Sequence, residues 1–217
     1  MTFDAEVFQI TALSLQISIL ATGLSLLIGL PLGTLLALGR IRGRAFLLSL
    51  VNTGMGLPPV VVGLFVAMML WRSGPLGDLR LIYTPTAIII AQVVISFPIV
   101  TGLTAAALQS LDPRLKLQLY GLGASRGQMV WGLWKEVRLP LLAALMAGFG
   151  SVISEVGASM MVGGNIRYQT RVLTTAIVLE TGKGYFDIAV GLGILLLAIT
   201  FLVNWALTSI QQRSVRR

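Results

Sequence analysis

Long uncharged stretches recur along the chain, separated by short segments that hold most of its charges. A helix needs about 20 residues to cross a bilayer core of about 30 Å, and five stretches are long enough. The pattern therefore predicts an all-α, polytopic membrane protein with one transmembrane domain over residues 1–217. The expected spans are about 13–39, 46–70, 85–109, 139–163 and 188–210.

Composition supports the membrane interpretation and excludes several other classes. Hydrophobic residues make up 56% of the 217 positions and charged residues 11%, against about 25% charged in soluble domains. A soluble fold could not cover so much apolar surface, and a disordered chain would be far more polar. Because the chain has no Cys and no His, we expect no disulfide, no thiolate or imidazole chemistry and no metal site.

The distribution of Lys and Arg predicts the orientation in the membrane. The N-terminal tail has none, the four loops have three, two, five and three, and the C-terminal tail has three. Eleven of the sixteen thus lie on one side, which the positive-inside rule assigns to the cytoplasm. We expect the N-terminus outside, the C-terminus inside, a cytoplasmic loop at about 110–138 and an outer loop at about 164–187. The net charge of +8 is then a topology signal, and no nucleic-acid partner is expected.

The basic third loop does not have the pattern of a plain linker. Asp112-Pro113 is a favourable helix start, Gly121 and Gly123 predict a bend, and a second helix follows. Its expected apolar face consists of Met129, Val130, Leu133, Trp134 and Val137. Such a hairpin could lie on the anionic inner leaflet, or it could dock on a cytoplasmic partner.

One resemblance bears on these alternatives. Gly123-Ala-Ser-Arg126, followed by Val137-Arg-Leu-Pro140, resembles the EAA loop of ABC importer permeases, although the spacing is longer. The Glu-Ala-Ala positions read Leu-Gln-Leu, so the acidic residue is missing. The resemblance implies a type I ABC importer permease fold and a loop that docks in a cleft of an ATP-binding subunit. It assigns the coupling role to Leu117, Gln118, Leu119, Gly121, Gly123, Ala124, Ser125, Arg126, Leu139 and Pro140.

Glu155 is the only charged residue inside a predicted span. A carboxylate at the centre of a membrane helix costs about 2.5–3.5 kcal/mol on insertion scales, so it should face protein or water. It could hold a gate or close a helix interface, and it could equally be hydrogen-bonded to a hydroxyl or to backbone. The residues alone leave both roles open.

Small, polar and proline residues surround Glu155 or interrupt other spans. Small residues let helices approach closely, hydroxyls and amides can line a polar route, and Pro kinks a helix. Close packing and passive shape are the alternative explanations. The candidate translocation path or gate comprises Pro58, Pro59, Ser96, Pro98, Ser154, Glu155, Gly157, Ser159, Gly163, Gly164 and Asn165.

A second resemblance narrows the family. Glu155-Val-Gly-Ala-Ser, followed by Gly-Gly-Asn-Ile166, is similar to molybdate and tungstate importer permeases. The blocks 57–63, 171–177 and 180–184 look most like the tungstate-type subgroup; molybdate and sulfate permeases are the alternatives. The resemblance implies a homodimer in a bacterial or archaeal cell membrane, with two cytoplasmic ATP-binding subunits and an extracytoplasmic oxyanion-binding protein. ATP and Mg would then be bound by the partner subunit, and no cofactor by this chain.

Other function classes fit the sequence less well. The chain has no P-loop motif, so it supplies no ATPase site of its own and is not expected to be an enzyme. An ion-coupled secondary transporter with Glu155 as its proton or cation site would usually show more intramembrane charges and an inverted repeat. A membrane scaffold would leave the long outer loop unexplained.

Overall fold

The computed structural model describes residues 3–39 and 41–215, and the regular structure of this part is helical. Arg40, Arg216 and Arg217, which contribute to the charge count above, lie outside the described residues. A short 3-10 turn occupies Gly77–Leu79. The helices are α1 (Phe3–Leu38), α2 (Arg44–Met55), α3 (Pro59–Leu70), α4 (Pro85–Gln109), α5 (Pro113–Gly121), α6 (Arg126–Glu136), α7 (Arg138–Ile153), α8 (Gly157–Gly163), α9 (Leu173–Gly182) and α10 (Phe186–Val215).

Three helices are individually long and apolar enough to cross a membrane: α1, α4 and α10. Two pairs of helices also qualify if each pair is counted as one bent span, so the described residues contain three to five candidate spans. The pairs are α2 with α3, bent by 102°, and α6 with α7, bent by 75°. The chain is thus an all-α polytopic membrane protein.

Two predicted spans are interrupted in the structure. The predicted span 46–70 is divided between α2 and α3, and 139–163 between α7 and α8. The predicted outer loop 164–187 contains α9. A hydropathy average does not reveal these interruptions, because Gly56-Leu57-Pro58 lies within an apolar stretch and Glu155 is a single charge within another.

α4 is the central helix and contacts α1, α2, α3, α7 and α8. Thr84 caps its N-terminus by accepting a hydrogen bond from the Ala87 amide, and Pro85 occupies the first turn, where a missing N–H costs nothing. Half of its span is buried, against 11% of the span in α10. α10 packs on α9 and α7 at the edge of the bundle, so its exposed apolar face is available to lipid.

The α1–α4 contact is the most extensive in the fold, and glycines let these two helices approach each other. A Cβ atom built on Gly33 would lie 2.6 Å from the Thr101 carbonyl oxygen, and one on Gly29 would lie 2.9 Å from Val100 Cγ1. Such distances leave no room for a side chain, so close backbone packing replaces side-chain interdigitation here.

Hydrogen bonds define which segments share an end of the bundle. At one end, the Tyr83 amide donates to the Val162 carbonyl at 2.8 Å, and Gln9 Nε2 donates to the Tyr168 carbonyl at 3.0 Å. At the other end, Trp134 Nε1 donates to Thr34 Oγ1 at 2.9 Å. The segments 71–84 and 164–187 thus lie together at one end, and α6 lies at the opposite end.

Substituting Gly33 should weaken the α1–α4 contact. Gly33→Ala forces a Cβ against a backbone carbonyl, and overpacking of this kind costs about 1–3 kcal/mol. The control is Gly23→Ala in the same helix, where no atom lies within 4 Å of the added Cβ. Thermal unfolding in detergent should show a lower midpoint for Gly33→Ala and an unchanged or higher one for Gly23→Ala. Equal midpoints for the two variants would contradict this packing.

Candidate functional site

The two interrupted helices meet at their breaks. α3 and α8 pack against each other, and small residues bring their backbones together. A Cβ on Gly63 would lie 2.6 Å from Ala158 Cα, and Gly157 faces Val60, the second residue of α3. The breaks at 56–58 and 154–156 are therefore neighbours. We call the contact of α3 and α8, together with these two breaks, the junction.

The first break has an evident local cause. The consecutive prolines Pro58 and Pro59 supply no backbone donors, and Pro59 stands at the first position of α3. Proline is tolerated at the start of a helix but not in its interior, so α2 cannot continue through Pro58 and Pro59. A new helix therefore begins here in a new direction.

The second break contains no proline and depends on Glu155, which is 7% exposed. Its Oε1 accepts a hydrogen bond from the Ala158 amide at 2.8 Å, and its backbone carbonyl accepts one from Thr174 Oγ1 at 2.8 Å. The side chain thus satisfies an amide of the first turn of α8, as a capping residue does. The Glu155 side chain is thus hydrogen-bonded to backbone, which was one of the two roles expected for it.

Further polar groups surround Glu155. Gln92 of α4 donates from Nε2 to the Val152 carbonyl at 3.3 Å and to Ser159 Oγ at 3.4 Å. A cavity of about 10 Å³ lies beside the carboxylate, lined by Gln92, Ser14, Ser18 and Thr174 among others. This is about the volume that one water molecule requires. The inner side of the junction is therefore a buried polar cluster.

The candidate path residues fall into two groups. Pro58, Ser154 and Gly164 are exposed, and Pro59, Gly157 and Asn165 are half-buried. These residues lie in the breaks, at the first positions of α3 and α8, or directly after α8. The others are buried: Glu155, Ser159 and Gly163 at the junction, and Ser96 and Pro98 in α4.

Ser96 and Pro98 belong to helix packing instead of the junction. Ser96 Oγ donates to the Gln92 carbonyl at 2.9 Å and shares a hydrogen bond with Ser25 of α1. Pro98 packs against Gly54, on which a Cβ would lie 2.9 Å from Pro98 Cβ. The structure therefore does not bring these two residues to the exposed side of the junction.

The exposed side of the junction combines apolar and polar side chains. Val61, Leu64, Phe65 and Met68 of α3 are exposed. Ser154 at the second break is exposed, and so are Asn52 and Thr53 in the last turn of α2, before the first break. Polar groups facing lipid are costly, so this mixed face suits contact with protein and water.

Ion pairs hold the segment 164–187 to α1. Nε of Arg167 donates to Oε1 of Glu6 at 3.0 Å, and Arg171 donates to the same oxygen at 3.2 Å. Hydrogen bonding to the carboxylate raises the pKa of Arg167 above its ordinary value. Lys183 pairs with Glu180 at 2.8 Å. Sequence reasoning missed these contacts, and it also missed Gln92 and Thr174, because no local pattern indicates partners so distant in the chain.

The predicted helical hairpin of the third loop is present. Asp112 accepts a hydrogen bond from the Arg114 amide at 2.8 Å, Gly123 adopts a φ of +76°, and Ser125 and Gln128 form a capping box that starts α6. Met129, Leu133 and Val137 are buried against Ala107 and Leu108 of α4, which confirms most of the expected apolar face.

The candidate coupling residues lie mostly on the outside of this hairpin. Exposed residues are Leu117, Gln118, Gly121, Gly123, Ser125, Arg126 and Pro140, and half-buried residues are Leu119, Ala124 and Leu139. Leu119 lies against Gly132 of α6, at 3.5 Å from an added Cβ, and so helps to hold α5 on α6. Leu122, exposed by 83%, and Trp131, exposed by 59%, add large apolar groups that the resemblance did not assign.

Comparison with known proteins identifies the family. Residues 29–217 match the family described as "Binding-protein-dependent transport system inner membrane component". The chain belongs to this family. It is a multi-pass permease of the inner membrane, and the family implies ATP-binding subunits that carry the ATPase activity and a substrate-binding protein.

Two curated relatives cover nearly the whole permease. A probable anion ABC transporter permease of Haloferax volcanii is 38% identical over 90% of this chain and 87% of its own length. The tungstate uptake permease TupB of Peptoclostridium acidaminophilum is 37% identical, over 97% and 92%. The inward-facing MetNI methionine ABC transporter shares the fold, with a TM-score of 0.76 at 19% identity over 99% of both chains.

Removing the Glu155 acceptor should destabilise the permease. Glu155→Leu leaves the buried Ala158 amide without its partner, which costs about 1–3 kcal/mol. Glu155→Gln retains an acceptor oxygen of similar reach. In detergent, the unfolding midpoint should therefore fall clearly for the Leu variant and little for the Gln variant. A Leu variant as stable as the original chain would show that Glu155 does not hold the start of α8.

Proposed function

We propose that this permease forms, as a homodimer, the translocation path of an ATP-driven importer for tungstate. The observation that carries the proposal is the junction, because it offers half of a route on an exposed, partly polar face. The 37% identity with a tungstate uptake permease over 97% of the chain supports the choice of substrate.

A second copy of the chain would supply the other half of the route. The exposed apolar residues Val61, Leu64, Phe65 and Met68 of α3 provide a surface that a like subunit could cover. A two-fold axis is the commonest way to close such an assembly. With the two junctions facing each other, Ser154 and the residues around Pro58 would border a central opening.

The loop at 110–138 would face the cytoplasm, as the excess of Lys and Arg on its side indicates. Leu117, Tyr120, Leu122 and Trp131 project apolar surface from this hairpin, with exposures of 49–83%. This surface would seat in a groove of the ATP-binding subunit, which would bind ATP and Mg. The N-terminus and the segments 71–84 and 164–187 would face the extracytoplasmic oxyanion-binding protein.

The connection between the loop and the junction suggests how ATP could drive transport. α6 leads into α7 at Val137, and Trp134 ties α6 to Thr34 of α1. α7 has 16 residues, about 24 Å at 1.5 Å per residue, and ends at Ile153, two positions before Glu155. A displacement of α6 by the ATP-binding subunit would therefore reach the start of α8.

Replacing Leu122 should weaken the attachment of the ATP-binding subunit. Leu122→Gln removes exposed apolar surface that the fold itself does not use. The matched control is Leu79→Gln, since Leu79 is 58% exposed at the opposite end of the bundle. Co-purification should retain less ATP-binding subunit on Leu122→Gln than on Leu79→Gln. Equal retention by the two variants would count against docking through this hairpin.

Reconstituted transport tests the proposed function itself. We expect vesicles containing the permease and its ATP-binding subunit to accumulate tungstate only when ATP and the oxyanion-binding protein are present. Molybdate and sulfate should compete more weakly. Accumulation without ATP, driven by an ion gradient, would contradict the importer, and preferred uptake of molybdate or sulfate would contradict the choice of tungstate.

A further inference from the structure

A concave surface separate from the junction lies at the end of the bundle that carries the segments 71–84 and 164–187. It has a volume of about 810 Å³ and is lined by Trp71, Arg72, Gly77, Asp78, Arg80, Ile82 and Tyr83. None of these residues belongs to the candidate path or to the coupling hairpin. The surface therefore needs an explanation of its own.

The two arginines of this concavity differ from the other cations at the same end. Arg167 and Arg171 share Glu6, and Lys183 pairs with Glu180. Arg72 and Arg80 are exposed and make no ion pair or side-chain hydrogen bond with any described residue, although Asp78 also lines the concavity. Their guanidinium groups are thus available to donate hydrogen bonds to a ligand.

The backbone holds this segment in an unusual conformation. Arg80 has a φ of +50° and Tyr83 a φ of +63°, in the left-handed region that residues with a side chain seldom adopt. Such strain persists only where the surroundings impose it, and it is concentrated at functional sites. The Arg80 amide donates to the Gly77 carbonyl at 3.0 Å, which fixes the turn that carries this arginine.

The concavity is joined directly to the junction. The Tyr83 amide donates to the Val162 carbonyl of α8, and the Tyr83 ring lies against Gly164, 2.7 Å from an added Cβ. Trp71, which follows α3, packs edge-to-face on the same ring with centroids 6.1 Å apart. The segment 71–84 therefore links the last residues of α3 with those of α8.

We propose that Arg72 and Arg80 form a reception site for a tetrahedral oxyanion at the outer mouth of the path. The inference rests on the proposed function, and it identifies the residues of the permease that would bind the anion first during import. Planar guanidinium groups donate paired hydrogen bonds that match the oxygens of such an anion. Because both arginines are exposed to water, they would hold the anion weakly enough to pass it on towards the junction.

The test uses the complete transporter in proteoliposomes, with the oxyanion-binding protein saturating and tungstate as the probe. The variant is Arg72→Gln with Arg80→Gln. Lys183→Gln is the control, since it removes a cation at the same end that is already paired with Glu180 and leaves the ion pairs of Glu6 intact. We expect tungstate uptake to fall about tenfold in the first variant, at the lower end of electrostatic steering effects, and to change little in the control. The uptake should also become less sensitive to salt in the first variant.

The stimulation of ATPase activity by the binding protein separates this role from protein docking. If the arginines receive the anion, the binding-protein concentration that gives half-maximal stimulation should stay unchanged. A raised concentration would show that they contact the binding protein, which would overturn the inference, as would unchanged uptake. Failure of the unaltered transporter to take up any oxyanion would instead refute the proposed function.

Discussion

The need to satisfy backbone polar groups at two interrupted helices governs this structure. Inside a membrane, an amide without a partner costs several kcal/mol because no water can replace it. The prolines at 58–59 remove donors from the first break, and Glu155 supplies an acceptor to the second. Thr174 of α9 donates a hydrogen bond to the Glu155 carbonyl, and Gln92 of α4 donates one to the Val152 carbonyl. The junction is thus possible only because three distant segments converge on it.

The rest of the fold supports this convergence. α4 carries Gln92 to the centre of the bundle, and its close contact with α1 depends on glycines at 29 and 33. α9 brings Thr174, and ion pairs between Glu6 and the arginines at 167 and 171 fasten the preceding segment to α1. α7 then connects the junction to the hairpin at the opposite end, so one helix spans the distance between the proposed docking surface and the proposed route.

The sequence predicted those features that arise from local composition. Uncharged stretches located α1, α4 and α10, and the cap at Asp112 reflects residue preferences that can be read over two or three positions. The carboxylate at position 155 marked the junction because a charge inside an apolar stretch is expensive. Its partner Thr174 could not be predicted, since a hydrogen bond across 19 positions leaves no periodic signal. Ser96 and Pro98 likewise gave no indication that they face other helices.

The accessibility of Ser154 tests most directly whether the junction lines a water-filled route. The chain has no cysteine, so Ser154→Cys and Leu197→Cys each introduce a single thiol, the second on the outer face of α10 where Leu197 is 70% exposed. In membrane vesicles of the assembled transporter, a water-soluble thiol reagent applied to both sides should label Ser154→Cys and leave Leu197→Cys unmodified. A lipid-soluble reagent serves to show that both thiols are present and reactive. If that reagent labels both variants while the water-soluble one labels neither, with and without ATP, the result would contradict a route at the junction.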